Sequence, residues 1–180
     1  MTTCIVDGPK DLLDLVGTKL GPSEPLVIEQ DRINQFADAT GDHQWIHVDP
    51  EKAKDGPFGT TIAHGYLTLS LANWFLPQLL QVNNVSMGVN YGAETIRFPS
   101  TVPVNSTIRA TGEIVSAEEA KGGVKVIVRI AITVEGADRP ACLVETISIF
   151  YPSSHERSTA SDFVLPKCAS TLKLAESADY

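Results

Sequence analysis

Basic residues are few in this 180-residue chain: 14 Lys and Arg stand against 22 Asp and Glu, for a formal net charge of −8. No run of Lys and Arg occurs. Without such clusters to meet phosphates, the reading is no nucleic acid. Cysteine is also scarce. Cys4, Cys142 and Cys168 are odd in number, far apart and without a Cys-x-x-Cys, a pattern that fits free thiols in a reducing cytoplasm better than a disulfide framework or a zinc site. The first ten residues hold neither a basic nor an apolar signal segment, so secretion is not expected. The closing Ala-Asp-Tyr is not a peroxisomal address. Uninterrupted apolar runs are missing too. The most apolar stretch, 62–82, carries His64, Asn73, Pro77, Gln78 and Gln81, all costly in hydrocarbon. It reads as a helix buried inside a protein, with no membrane span, and the expected location is cytoplasmic.

What is present suits one folded domain: 43% hydrophobic and 20% charged residues over a length that fills a single core. Asp11 to Gly17 reads as a helical turn and Leu26-Val-Ile as a short strand. Asp31 is the expected N-cap of a helix ended by Gly41. Residues 42–61 read as a long loop with one short helix after Pro50, and loops of that length in compact domains are usually functional. A buried helix is expected from about Gly65 to Leu80, with Leu67, Leu71, Trp74 and Phe75 on its inner face and Pro77 kinking or closing it. Four strands follow, at 87–98, 104–116, 124–135 and 142–151, the third alternating strictly between Val or Ile and other residues. The fold class is therefore α+β, an antiparallel meander curved around a long central helix. The Ser- and Ala-rich segment 152–180 reads as a tail outside the 1–151 domain.

The chemistry centres on Gly41 to His47. Asp42 and His47 are five apart in a tight loop after a helix end, where an aspartate and an imidazole can share a water and move protons near neutral pH. On these two residues alone, Asp42 as a turn cap and His47 as a hydrogen-bonded core histidine is the slightly better reading. The run Ile62-Ala-His64-Gly65 adds a second element. A glycine at a helix start leaves exposed N–H groups that a developing negative charge can approach. An acid–base pair beside such a donor is the minimum needed for chemistry next to a carbonyl.

The run Phe36-Ala-Asp-Ala-Thr-Gly-Asp-His-Gln-Trp-Ile-His-Val-Asp-Pro-Glu51, followed by Gly56-Pro-Phe-Gly-Thr-Thr-Ile-Ala-His-Gly65, resembles the MaoC-like hot-dog dehydratases, the (R)-specific enoyl-CoA hydratases, with the NodN-like branch the nearest. Asn90-Tyr-Gly92 and Arg97-Phe-Pro-Ser-Thr-Val-Pro-Val104 resemble that branch as well. The resemblance implies a single hot-dog fold, Asp42 and His47 as the catalytic pair, the Gly65 N–H as donor to a thioester carbonyl, and Asn73 as a polar aid to the aspartate. It also implies an acyl-CoA thioester substrate, no separate cofactor since CoA enters with the substrate, and a homodimer. Trp45, Tyr66 and Trp74 are the candidate acyl-chain lining. Where the common form of the motif has Asn-Pro, this chain has Gln44-Trp45, so its substrate preference is expected there. Rival readings are a hot-dog acyl-CoA thioesterase, a non-catalytic acyl-thioester binder, and a metal site drawn from Asp42, His43, His47, Asp49 and His64.

Overall fold

The computed structural model describes residues 3–153. Along the chain come β1 (Cys4–Val6), a 3-10 turn (Pro9–Asp14), β2 (Lys19–Leu20), β3 (Leu26–Val27), α1 (Gln30–Thr40), α2 (Trp45–Val48) and α3 (Pro50–Lys54). Then follow α4 (Gly65–Ser70), α5 (Ala72–Leu79), β4 (Leu80–Val82), β5 (Val85–Arg97), β6 (Thr107–Ala120), β7 (Gly123–Val134) and β8 (Cys142–Pro152). The tail expected from 152 otherwise lies outside the described residues, as does Cys168. Cys142 is a free, buried thiol, whereas Cys4 is disulfide-bonded, which corrects the expectation of free thiols at that position. Among the described residues no helix is long and apolar enough to cross a membrane.

The expected central helix is two segments. At Leu71 the chain tightens, and the Trp74 N–H bonds back to the Leu71 carbonyl at 2.9 Å, three residues earlier. Pro77 lies inside the second segment and does not close it, since the helix runs on to Leu79. The strand that follows, β4, pairs in parallel with β1. The buried stripe is the i, i+4 row of Leu67, Leu71, Phe75 and Leu79, with Thr68 and Ala72 beside it. Trp74 precedes Phe75 and so stands about 100° round the helix from it. It falls off that stripe and is 52% exposed, contrary to the periodicity reading.

The main sheet runs in the order β2-β6-β7-β8-β5, with β3 also paired to β6. β6, β7 and β8 form the expected meander, but β5 pairs antiparallel with β8 at the far edge instead of beside β6. Its register shifts three times, a sign of bulges that bend an edge strand. In β7 the inner positions Val124, Val126, Val128, Ile130 and Ile132 are all buried. The outer positions Lys125, Arg129 and Thr133 are only half-exposed, because cross-strand partners cover them: Arg129 reaches Glu145 at 2.6 Å and Glu113 at 3.3 Å. Phe75 and Leu79 share one core with Ile108, Ala110, Ile130 and Ile132. At Gly112 an added Cβ would stand 3.4 Å from the Leu79 side chain, so the sheet approaches the helix closely there. This is the hot-dog layout, a sheet packed on a central helix.

Phe75 is fully buried and its loss leaves a cavity that the sheet cannot close. Phe75→Ala is expected to cost about 3–5 kcal/mol of unfolding free energy, read as a lowered urea midpoint.

Candidate active site

α1 delivers the chain to the site. Its N-cap is Glu29 and not Asp31, which lies in the first turn, where its negative charge suits the helix dipole. Gly41 ends the helix at φ 79, a left-handed conformation that glycine adopts without a Cβ clash. The chain turns sharply and places Asp42 beside the helix end. The expected loop carries the short helix after Pro50, α3, and a further one before it, α2. His47 therefore sits on a helical turn, its N–H bonded to the Gln44 carbonyl at 2.9 Å. Asp49 caps α3 by accepting the Lys52 N–H at 3.0 Å.

His47 is 7% exposed, and its Nδ1 lies 2.7 Å from the Ile62 carbonyl oxygen. A carbonyl can only accept, so Nδ1 carries the hydrogen and Nε2 is the basic nitrogen. Burial pushes the His47 pKa below the ordinary imidazole value; the Ile62 hydrogen bond opposes this, the neighbouring His64 adds to it, and Asp42 pulls the other way. His64 is 3% exposed and stacks on His47 with ring centroids 3.8 Å apart and planes 23° apart. Its Nε2–H donates to the Asp42 main-chain oxygen at 2.9 Å and lies 3.9 Å from the Asp42 carboxylate. Its Nδ1 is buried with no hydrogen-bond partner among the described residues.

A cavity of 360 Å³ opens beside His47, with Ile62, Ala63, Gly65, Thr68, Phe98 and Val102 in its walls. Gly65 is the first residue of α4, where a main-chain N–H has no partner within the helix. A Cβ there would press on the Phe98 ring at 3.2 Å. Thus His47 and Gly65 share one cavity, and Asp42 reaches the cluster through His64.

The other expected residues fall elsewhere. Trp45 is half-buried against Gly56, where an added Cβ would meet its ring at 2.8 Å, and Lys52 Nζ sits 4.9 Å from the ring centroid. It braces α2 on α3 and is not part of the cavity wall. Tyr66 is 69% exposed and packs edge-on against Phe98. Asn73 and Trp74 lie on the outer face of α5, away from the cavity wall and the Asp42 cluster. His43 is turned outward and bonds Asp38 at 2.8 Å, which raises its pKa.

Asp42, His47 and His64 bring ligand-type atoms within 4.8 Å of one another. The five-residue metal reading does not survive intact, since His43 and Asp49 are engaged with Asp38 and Lys52. The remaining three keep donor types that a metal ion could use, and the same groups can also hand on a proton.

Two residues of the site escaped the sequence reading. Gln30 donates to the His47 carbonyl at 2.7 Å and accepts from the buried Thr61 hydroxyl at 2.6 Å. A glutamine at a helix start carries no periodic signal. Thr61, adjoining the Ile-Ala-His-Gly run, could have been noticed.

In an NMR titration His47 is expected to titrate below about 6.5 and His43 above it. Because its folded-state pKa is lowered, His47 contributes stability that is present above the unfolded value and is lost as pH falls through the folded one. Urea midpoints measured below neutrality should therefore decline, and less so in His47→Gln.

The MaoC like domain family matches residues 12–136. The chain is 49% identical over 138 residues to 3-hydroxyacyl-thioester dehydratase Z of Mycobacterium tuberculosis, covering 76% of this chain and 91% of that protein. It is 38% identical over 152 residues to nodulation protein N of Rhizobium leguminosarum bv. viciae, covering 82% and 93%. Among solved structures, the (R)-hydratase from A. caviae involved in PHA biosynthesis superposes with a TM-score of 0.59 at 25% identity, over 74% of this chain and 94% of that one. With the family model matched over residues 12–136 and a relative 49% identical over 91% of its own length, the chain belongs to the MaoC-like dehydratase domain family, with a hot-dog fold.

Proposed function

We propose that the protein is a hydro-lyase that reversibly hydrates a trans-2-enoyl-CoA to the (R)-3-hydroxyacyl-CoA. The observation that carries this reading is His47: buried, hydrogen-bonded through Nδ1 to Ile62, held below its ordinary pKa, and in the wall of the cavity that also holds Gly65. The names of its relatives, a 3-hydroxyacyl-thioester dehydratase and an (R)-hydratase, support the same chemistry.

Water between Asp42 and His47 gives up a proton as its oxygen bonds to C3 of the enoyl group. The C2–C3 π electrons move toward the thioester, and negative charge gathers on its oxygen, where the Gly65 N–H meets it. A proton returned to C2 completes the addition of H and OH. A neutral His47 is poised for this because a base that is already protonated accepts nothing. No step requires a metal or a separate cofactor, and CoA is part of the substrate.

The large exposed residues Tyr66, Trp74, Met87 and Tyr91 lie on α4, α5 and the edge strand β5. Apolar exposure of that kind, along an open sheet edge, supports a homodimer that covers it. A cytoplasmic location is the one part of this reading that the Cys4 disulfide does not favour.

Asp42→Asn and His47→Gln are each expected to slow hydration of a short enoyl-CoA by about a hundredfold or more, followed by loss of the enoyl thioester absorbance. Near-wild-type rates in either variant would remove the assignment, and release of free CoA thiol would point to a thioesterase instead. Sedimentation equilibrium should give twice the chain mass; a fully active monomer contradicts the dimer.

A further inference from the structure

We propose that Gln30 is a positioning residue whose carboxamide locks the His47 ring in the orientation and tautomer needed for catalysis. Gln30 opens α1, lies 17 residues before His47 in sequence and is not part of the cavity wall. Its hydrogen-bonding capacity is nevertheless directed at the segments that hold His47. Nε2 donates to the His47 main-chain oxygen at 2.7 Å and to Asn34 Oδ1 at 2.9 Å, which uses both of its N–H groups. Oε1 accepts from the Thr61 hydroxyl at 2.6 Å, and Thr61 is 1% exposed, so that hydroxyl has no access to bulk water.

Thr61 is followed by Ile62, whose carbonyl receives the His47 Nδ1–H and whose N–H is given to the Ile46 carbonyl at 3.0 Å. Gln30 therefore grips the main chain of His47 with one end and the strand-like segment that holds its ring with the other. The result is a closed circuit: Gln30 to the His47 carbonyl, the His47 ring to Ile62, and neighbouring Thr61 back to Gln30. A ring held only by its own Cα–Cβ bond can rotate and shift its proton between nitrogens. Held by this circuit, it keeps the hydrogen on Nδ1 and the free electron pair on Nε2. A small misplacement of a catalytic group is costly even when every catalytic atom is present.

The kinetic part of this inference rests on the hydration reading; the tautomer part does not. Gln30→Met keeps the side-chain length and removes all three hydrogen bonds. It also strands the Thr61 hydroxyl, so a fall in Tm is expected from that alone. Adding Thr61→Val removes the stranded group and should restore most of the Tm. In both the single and the double variant kcat for hydration of trans-2-butenoyl-CoA is expected to fall by about tenfold to a hundredfold, with KM within about twofold. Nitrogen-15 spectra of the imidazole at about pH 8 should show the Nδ1–H form for His47 in the wild type and a mixture of tautomers in both variants. Recovery of kcat together with Tm in the double variant would overturn the proposal, leaving Gln30 a structural residue only. An unchanged His47 nitrogen-15 pattern in Gln30→Met would overturn it as well. If the wild-type protein hydrates no enoyl-CoA, the hydration reading falls and the nitrogen-15 pattern alone decides the role of Gln30.

Discussion

One hydrogen bond organises the centre of this molecule: His47 Nδ1–H to the carbonyl of Ile62. It joins the helical turn α2 to the extended segment 61–63, and that segment is in turn tied to the far side of the fold. Ala63 N–H is given to the Val102 carbonyl at 2.8 Å, and Val104 N–H to the Thr61 carbonyl at 2.9 Å. Two residues later the chain enters α4, so the same short stretch that fixes the His47 ring also places the Gly65 N–H. The proposed base and the proposed oxyanion donor are thus positioned by one piece of backbone. Their separation follows from this backbone together with the ring orientation that the Ile62 carbonyl imposes on His47, an economical way to hold a reactive geometry.

The surroundings of this bond trade stability for the proposed chemistry. A buried imidazole stacked on a second one is a poor core, since apolar side chains would fill the space without polar atoms to satisfy. His64 makes the point clearly: Nε2–H holds the Asp42 main chain, while the buried Nδ1 has no partner among the described residues. An unsatisfied buried nitrogen of this kind costs about 1–3 kcal/mol. The rest of the core offsets such losses with the fully apolar inner face of β7 packed on Phe75 and Leu79. A rigid apolar sheet and a polar, partly unsatisfied cluster at one end of its helix are complementary parts of the design.

Much of the fold was legible in the sequence because it rests on local periodicity. The strict alternation through Val124 to Ile132 depends only on side chains pointing to opposite faces, and the structure follows it. Gly41 was legible as a helix end for an equally local reason. The errors came where distant packing decides. Nothing local tells β5 to pair with β8 in place of β6, since that is a matter of which edge the chain reaches after α5. Nor does helical spacing alone separate Trp74 from Phe75, because both lie within a stripe until its centre is fixed by the sheet. At the site, Asp42, His47 and Gly65 were named from the run of residues around them, whereas Trp45, Tyr66 and Asn73 proved to lie on other surfaces. The motif marks the residues of the proposed chemistry, but pocket lining depends on which side chains a neighbouring element meets. Gln30 was invisible for the same reason: its partners are 17 and 31 residues away.

The central claim is that this site adds water across a carbon–carbon double bond and leaves the thioester whole. The most direct measurement is to incubate the protein with trans-2-butenoyl-CoA in oxygen-18 water and analyse the products by mass spectrometry. The account predicts one labelled oxygen on C3 of an intact (R)-3-hydroxyacyl-CoA. Label in a free carboxylic acid with CoA released, or no incorporation at all, would contradict it.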